Sequence, residues 1–412
     1  MVSPTYIKRT LETVLERAAR EFPAVVLTGP RQSGKTTLLK HRFGDTHRYV
    51  SLETPDVRMA AGSDPRGFLE RYPAPAIFDE IQYAPDLLMY IKERIDAHRE
   101  EAGQYLLTGS QNILLAERIT ESLAGRAAIL RLLPLSYREA GGYPDSPFSW
   151  EEQGASRCAK SDLSTLSERS LWTAFLRGNY PELVAHPDRD FSMWHASYVQ
   201  TYLERDVRSL RQVGDLTLFQ GLLKMLAARS GQLLNLADVG RDLGVALNTA
   251  KAWLSALEAT YQVIVLRPYQ ANIGKRLVKR PKVYFTDVGT LCYLAGLRDP
   301  EHAASGPMAG AIFETAVLSE IVKTFLHRGK EPMVYFWRTS TGVEVDILVE
   351  SRGRLVPVEA KLSATPNANM AKGIQAFRED LGDQAAPGYV VHPGEIHLPL
   401  APSIEAIPFA RL

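Results

Sequence analysis

The sequence predicts an α/β protein with a parallel sheet domain, a helical middle region and a second α/β unit at the C-terminus. Short apolar runs at residues 24–29, 74–80 and 104–110 alternate with helical periodicity. Runs of this kind are typical of strands buried on both faces of a parallel sheet. Residues 343–363 instead alternate apolar and polar side chains with period two, which indicates two half-buried strands.

The chain of 412 residues is longer than one hydrophobic core usually serves, so several domains are expected. We predict the sheet domain at 1–140 and a linker rich in Gly, Pro and Ser at 141–165. A helical region with a winged helix-turn-helix is predicted at 166–290, and the last α/β unit at 300–412. The chain shows neither a long apolar stretch nor a signal peptide, which predicts a cytoplasmic protein without a membrane segment.

A phosphate-binding loop is predicted where the first apolar strand meets a helix. The stretch GPRQSGKT at residues 29–36 matches the pattern G-x-x-x-x-G-K-[ST]. Its glycines let backbone amides surround phosphate oxygens, and the helix N-terminus adds favourable partial charge. Lys35 would reach the outer phosphates, and Thr36 would bind Mg²⁺. The predicted nucleotide-binding residues are Gly29, Pro30, Arg31, Gln32, Ser33, Gly34, Lys35, Thr36 and Thr37.

Polar residues at the ends of the other strands would complete a hydrolytic site. Asp79 would hold the magnesium ion, and Glu80 would orient and deprotonate the attacking water. Ser110 would hydrogen-bond the γ-phosphate or that water. Arg126 would act as an arginine finger or a phosphate sensor, in its own chain or across an oligomer. The nucleotide is expected to be ATP, since no guanine-reading motif is visible.

The middle region has the pattern of a helix-turn-helix. A turn at Gly244 separates two helical stretches, and Asn248 is the expected N-cap of the second. Residues 267–282 carry six Lys and Arg side chains and no acid, a run suited to DNA phosphates. The alternative is a solvated loop beside a rigid linker. The predicted DNA-binding residues are Asn248, Thr249, Lys251, Lys275, Arg276, Lys279 and Arg280.

The C-terminal hairpin raises the question of a metal site. A turn at residues 352–353 would set Glu344 opposite Lys361, an ordinary cross-strand ion pair. The same register sets Asp346 opposite Glu359, and such a like-charge pair destabilises a hairpin unless something compensates. A divalent cation would do so, with Lys361 positioning or activating a water.

At this point the chain resembles a family of prokaryotic AAA-superfamily ATPases. Their C-terminal domain of unknown function is related to the PD-(D/E)xK nuclease fold. The resemblance rests on GPRQSGKTTLL, YVSLE, IFDEIQ, LLTGSQ, SLAGR and LPLSYREA in the first domain. It continues downstream in YLERDV, KVYFTDVG, IFETAVLSEIVK, FWRTSTGVEVDILVE and VEAK. The resemblance implies an ATPase domain, a winged-helix element and a nuclease-like C-terminal domain.

The resemblance also implies a set of metal ligands. Asp346, Glu359 and Lys361 match the nuclease motif, and Glu314 matches its additional helix acid, so Glu314, Asp346 and Glu359 are the predicted ligands. Val345 stands where the motif has proline, which departs from the pattern.

Together these features predict an ATP-hydrolysing, magnesium-dependent protein that binds DNA and couples nucleotide state to a nuclease-like domain. Branched or recombining DNA is one expected substrate, and a homo-oligomer is expected because such ATPases commonly assemble. The first alternative is a nucleotide-switched module that recognises DNA structure without cutting. The second is a signalling ATPase whose C-terminal regions bind protein.

Overall fold

A computed structural model describes residues 6–110, 121–151, 168–202, 215–269 and 280–412. The α/β fold class is confirmed: the described chain forms one five-stranded sheet, a helical region and one eight-stranded sheet. The helices are α1 Leu11–Glu21, α2 Lys35–Phe43, α3 Pro55–Ser63, α4 Pro65–Arg71, α5 Leu87–Ala97, α6 Tyr137–Ala140, α7 Glu168–Arg177, α8 Pro181–Ala185, α9 Phe191–Tyr202, α10 Leu216–Ala228, α11 Leu236–Leu243, α12 Leu247–Ala259, α13 Val288–Leu294, α14 Pro300–Ser305, α15 Ala309–His327 and α16 Lys372–Leu381. The strands are β1 Ala24–Gly29, β2 Arg48–Ser51, β3 Ala76–Asp79, β4 Tyr105–Ser110, β5 Ala127–Arg131, β6 Val263–Pro268, β7 Lys282–Phe285, β8 Val334–Arg338, β9 Glu344–Ser351, β10 Arg354–Ala360, β11 Gly388–His392, β12 Leu398–Ala401 and β13 Ile404–Pro408.

The first sheet is parallel throughout and has the strand order β2-β3-β4-β1-β5. Its three central strands are the apolar runs that the sequence predicts. Because all strands run the same way, the residues that follow β1, β3 and β4 meet at one edge of the sheet. Helices cover both faces, and the side chains of Val26, Phe78 and Leu107 are fully buried in one of the two cores between them.

The helical region and the C-terminal sheet share one hydrophobic core, which differs from the predicted boundary between 290 and 300. That core runs from Leu133 through the helical region to Leu412. Strands β6 and β7 follow the predicted helix-turn-helix, pair with each other and join the large sheet through β6 and β8. Strand β7 is buried along its whole length.

The first part of the predicted linker is packed rather than free. The rings of Phe148 and Trp150 stack with their centroids 4.4 Å apart, and Phe148 is fully buried against Phe325 of α15. Glu151 accepts a hydrogen bond of 2.6 Å from Arg328. Three aromatic rings therefore hold residues 141–151 on the C-terminal unit; residues 152–165 lie outside the described residues.

The large sheet is mixed and has the order β12-β13-β11-β10-β9-β8-β6-β7. The predicted hairpin register is confirmed over the described ladder, in which Val356 pairs with Val349 and Val358 pairs with Ile347. Arg352 and Gly353 both have positive φ, at 51° and 75°, as a two-residue hairpin turn of the primed type requires. The ladder stops at Ile347 and Val358, one position before the two acids.

The long helix α15 lies between the two sheets. It packs against β5 of the first sheet and against β7 and β10 of the second. Its last two turns carry Glu320, Lys323 and His327, all buried, and all three contact residues 133–139. The described ranges contain no helix that is both long and apolar enough to cross a lipid bilayer.

Candidate functional site

The phosphate loop has the shape that its sequence predicts. Gly29 has φ of 146°, and a Cβ there would lie 2.1 Å from the carbonyl oxygen of Leu132. Gly34 has φ of 94° and caps α2, which begins at Lys35. Both positions therefore require glycine. The Lys35 ammonium donates hydrogen bonds of 3.0 and 2.8 Å to the carbonyls of Gly29 and Pro30, which places it at the mouth of the loop.

Asp79 joins the phosphate loop to the neighbouring strands. Its Oδ1 accepts a hydrogen bond of 2.8 Å from Thr36 and another from Thr108, and its Oδ2 accepts one of 2.8 Å from Tyr49. Asp79 is buried, with 5% of its surface exposed. Hydroxyl and carboxylate oxygens are the donor types that Mg²⁺ takes in nucleotide sites, so Thr36 and Asp79 fit a magnesium ion.

Glu80 follows directly, in the left-handed backbone region with φ of 60° and ψ of 51°. A residue other than glycine pays a small conformational cost there, of about 1 kcal/mol or more. The backbone amide of Glu80 donates to Thr108 Oγ1 at 3.1 Å, and its carboxylate accepts a hydrogen bond from Gln82. This turn points Glu80 into the cavity beside the phosphate loop instead of along the strand.

A cavity of about 430 Å³ opens beside the loop, within the size range of small-ligand sites. One wall is the phosphate loop with Glu80, and the opposite wall comes from the N-terminal segment and from α8. The two walls belong to different parts of the chain, so the cavity lies at the junction of the sheet domain and the helical region. Its lining is Tyr6, Ile7, Arg9, Gln32, Gly34, Lys35, Thr36, Thr37, Leu38, Glu80, Leu135, Pro181, Glu182, Ala185 and His186.

Ser110 ends β4, and its side chain lies outside the described residues. Thr108, two positions earlier and fully buried, contacts Asp79. Arg126 precedes β5, whose first residue pairs with Ala24, the first residue of β1. Arg126 therefore sits at the opposite edge of the sheet from the phosphate loop, roughly 17 Å away along β1. Its guanidinium is paired with Asp96 at 2.6 and 2.9 Å.

The predicted metal ligands Glu314, Asp346 and Glu359 lie in one cluster with two lysines. Among the described residues, which include Glu314, Asp346 and Glu359, no three acids, histidines or cysteines form a group that could hold a metal ion. Lysines neutralise these acids instead. Lys361 lies 2.7 Å from Glu359 and 3.5 Å from Asp346, and the backbone amide of Ala360 donates to Asp346 at 3.0 Å.

Lys282 occupies the other side of this cluster. Its ammonium lies 3.2 Å from Glu314 Oε1 and also pairs with Glu344, while 5% of the side chain is exposed. The predicted pair of Glu344 with Lys361 is therefore replaced by Glu344 with Lys282 and Arg338. Two lysines and Arg338 thus pair with the four acids of this cluster.

The acids of the cluster shift each other's pKa. Burial raises the pKa of Glu359, and the neighbouring Asp346 raises it further. Burial would also raise the pKa of Asp346, but its hydrogen bond with Glu359 and the charge of Lys361 hold that pKa below the ordinary value. Burial and Asp346 raise the pKa of Glu314 to about 7.

The predicted DNA-contact residues divide into three groups. Two consecutive helices, α11 and α12, flank Gly244 in a left-handed turn, and α12 exposes Asn248 and Lys251 and leaves Thr249 half-buried. The N-cap of α12 is Ala246 rather than Asn248, because the helix begins at Leu247. Arg280 is exposed. Lys275, Arg276 and Lys279 lie outside the described residues.

Four residues of these sites were not identified from the sequence. Thr108 and Tyr49 both contact Asp79, and their only local signal is a polar side chain inside a strand. Arg9 lines the cavity and reaches the phosphate loop across 24 residues of sequence, which no local pattern reveals. Lys282 belongs to the basic run, but it is the first residue of a buried strand.

Known proteins resemble the chain in the same three parts. Residues 21–141 match the family described as an AAA domain, and residues 309–412 match the domain of unknown function DUF4143. Residues 168–301 match the domain of unknown function DUF8612. The Walker-type ATPase paby2304 of Pyrococcus abyssi has a TM-score of 0.45 and 14% identity, over 71% of this chain and 99% of that one.

The parallel sheet, the phosphate loop and the AAA-domain match define a protein of the P-loop ATPase class. Two whole-length relatives then give the family. The chain is 32% identical over 410 residues to the uncharacterized proteins Rv2008c of Mycobacterium tuberculosis and Mb2031c of Mycobacterium bovis. The match covers 97% of this chain and 83% of each relative. The chain belongs to the family of these two proteins.

Proposed function

We propose that the protein binds ATP with magnesium in the cavity beside the phosphate loop and hydrolyses it. The observation that carries the proposal is that Lys35 and Thr36 line that cavity while Thr36 donates a hydrogen bond to Asp79. A lysine, a hydroxyl and a carboxylate in this arrangement supply a phosphate clamp and two magnesium ligands. The AAA-domain match over residues 21–141 supports the same class of activity.

Each residue has a distinct task in the proposed reaction. Thr36 and Asp79 would hold Mg²⁺, which neutralises charge on the phosphate oxygens when it is bound. Lys35 would contact the outer phosphates. Glu80 would accept a proton from water as the water oxygen bonds to the γ-phosphorus. The bond between that phosphorus and the bridging oxygen then breaks, which leaves ADP and inorganic phosphate.

The wall opposite the phosphate loop supports a nucleoside rather than a bare phosphate chain as the ligand. Tyr6, Ile7 and Leu135 present aromatic and aliphatic surface to the cavity, and Ala185 adds to it from α8. A base would bury apolar area against this wall, while the charged phosphates remain beside Lys35. Pockets that are largely apolar with a few convergent polar groups are typical of such ligands.

Binding of a fluorescent ATP analogue and release of phosphate from ATP test this proposal. We expect wild type to bind and hydrolyse, and Lys35→Ala to lose both. Lys372→Ala, which removes an exposed lysine at the start of α16, is the charge-matched control and should behave as wild type. Wild type that binds no nucleotide in the presence of magnesium would overturn the proposal.

We propose DNA as a partner of the helix-turn-helix, as the second candidate function. The supporting observation is that α12 exposes Asn248 and Lys251 in its first turns, next to the tight turn at Gly244. The first residues of a second helix are those that enter the major groove in this motif. Anisotropy of labelled duplex and branched DNA should show weaker binding for the double variant N248A/K251A than for wild type or Lys372→Ala. Equal affinities for all three proteins contradict this role.

For the C-terminal unit we propose a binding role without cleavage, the first alternative from the sequence. The support is the neutralisation of its acids by Lys282 and Lys361. A nicking assay with magnesium or manganese should give no product for wild type or for Asp346→Ala. Cleavage by wild type that disappears in Asp346→Ala would instead establish a nuclease.

A further inference from the structure

We propose that Arg9 is a positioning residue for the phosphate loop, and that Glu139 and His327 hold Arg9 in place. Because His327 ends the long helix α15, the C-terminal unit would then help to set nucleotide affinity. This inference rests on the proposed ATP site. It assigns a role to a residue whose sequence position, in the segment before α1, gives no sign of one.

Arg9 is buried beside the phosphate loop and lines the cavity, with 3% of its surface exposed. Its Nη1 donates a hydrogen bond of 2.8 Å to the carbonyl of Ser33, and its Nη2 donates one of 2.7 Å to the carbonyl of Leu133. A Cβ on Gly34 would lie 3.6 Å from Nη1. One guanidinium thus joins the phosphate loop to the segment that follows β5.

The bond to Ser33 fixes the direction of one loop peptide. In a planar trans peptide the carbonyl and the following amide point in opposite directions. Arg9 holds the Ser33 carbonyl on its own side, so the amide of Gly34 faces away from Arg9. Backbone amides are the groups that bind phosphate oxygens in such loops. Without Arg9 this peptide would be free to rotate.

Glu139 holds Arg9 from the other side. Its Oε1 lies 3.2 Å from Arg9 Nε and accepts a hydrogen bond of 2.8 Å from the amide of Thr10. Its Oε2 accepts one of 2.9 Å from the amide of Ser136 and lies 3.0 Å from His327 Nδ1. Burial would raise the pKa of Glu139, but the Arg9 guanidinium and His327 hold it well below its ordinary value. The carboxylate is therefore charged and has a contact on every side.

His327 connects this cluster to the C-terminal unit. It is fully buried, and its Nε2 accepts a hydrogen bond of 3.1 Å from the amide of Leu133. Leu133 is thus held through its amide by His327 and through its carbonyl by Arg9. The same helix begins near Glu314, in the lysine-neutralised cluster of the large sheet. A shift of α15 would reach the phosphate loop through two side chains.

A purely structural salt bridge is the competing explanation, and it predicts something different. Loss of a structural pair lowers the melting temperature and leaves the affinity of the folded molecules unchanged. Loss of a positioning residue weakens nucleotide binding by the molecules that do fold. Arg328 supplies the matched control: it is partly buried one residue after His327, bonded to Glu151 and to the Ser146 carbonyl.

The experiment measures dissociation constants for a fluorescent ATP analogue and KM for ATP, in full-length protein, beside melting temperatures. We expect Arg9→Ala to raise both constants about 10- to 100-fold, as loss of a buried charged hydrogen-bond donor does. Both constants for Arg9→Lys should lie between those of Arg9→Ala and wild type, because an ammonium can replace one hydrogen-bond donor of the guanidinium but not all of them. His327→Ala should raise the constants less, and Arg328→Ala should lower the melting temperature only.

Wild-type affinity in folded Arg9→Ala overturns the inference, and so does an equal loss in Arg328→Ala. If Arg9→Ala does not fold, Arg9→Lys decides, since unchanged constants in that variant also overturn it. An unchanged nucleotide affinity in His327→Ala would contradict the proposed influence of the C-terminal unit on nucleotide binding. Failure of wild type to bind the analogue is a different result, which contradicts the ATP site itself.

Discussion

The ammonium of Lys282 lies 3.2 Å from Glu314 Oε1, in a cluster of four acids where the sequence predicts a divalent cation. Lys282 is almost fully buried and is also paired with Glu344. Isolated buried charges are costly, and charged partners compensate them. Lys282 provides that compensation for Glu314 and Glu344.

Replacing Lys282 tests whether the acidic cluster requires a positive charge. We expect Lys282→Met to destabilise the fold by roughly 3–5 kcal/mol, because it leaves buried acids without their partner. We also expect it to bind Mn²⁺ that wild type does not bind, measured by calorimetry in an Asp79→Asn background without nucleotide. Arg338→Met removes the more exposed partner of Glu344 and serves as the control. Manganese binding by the Asp79→Asn protein with Lys282 intact would contradict the account.

The pKa of Glu314 predicts a pH dependence of stability. Its folded-state pKa is raised to about 7 from an ordinary 4.5, so the folded state keeps a proton that the unfolded chain has lost between these values. Stability from this group therefore falls as pH rises from 4.5 to 7. Relative to Glu314→Gln, wild type should lose about 1–3 kcal/mol of unfolding free energy across that window. Denaturant unfolding at several pH values measures this, and a constant difference would refute it.

Asp79 should control the effect of magnesium on nucleotide binding. We expect magnesium to tighten binding of ATP to wild type, because Thr36 and Asp79 would share the ion. Asp79→Asn should bind ATP about equally with magnesium and with a chelator. Tyr49→Phe, which removes only the hydroxyl that donates to Asp79 Oδ2, should keep most of the magnesium effect. An Asp79→Asn protein with a full magnesium effect would show that the ion binds elsewhere.

The parts of the fold that follow from local pattern could be predicted from sequence. The phosphate loop lies between β1 and α2 as its motif requires, and the hairpin register follows from alternation and the turn at Arg352. Both signals lie within a few residues of chain. They hold because backbone conformation and side-chain alternation are local properties.

Contacts between distant segments could not be predicted. The bond from Arg9 to Leu133 spans 124 residues, and the contact of Leu133 with His327 spans 194. The contacts of Lys282 could not be predicted from sequence either. The basic run that includes Lys282 predicts a solvent-exposed patch. Lys282 is nevertheless buried, because it is the first residue of the buried strand β7. The pairing of Glu344 could not be predicted for this reason, since its lysine partner comes from β7 rather than from the hairpin.

Phosphate release from ATP by wild type and by Glu80→Gln is the most direct test of the central claim, that this chain is an ATPase. Glutamine keeps the size of the side chain at the turn but cannot accept the proton from water. We predict hydrolysis by wild type and a loss of about 10²- to 10⁴-fold in Glu80→Gln, with binding of the ATP analogue retained. Equal hydrolysis by both proteins, or none by wild type with ATP bound, would contradict the claim.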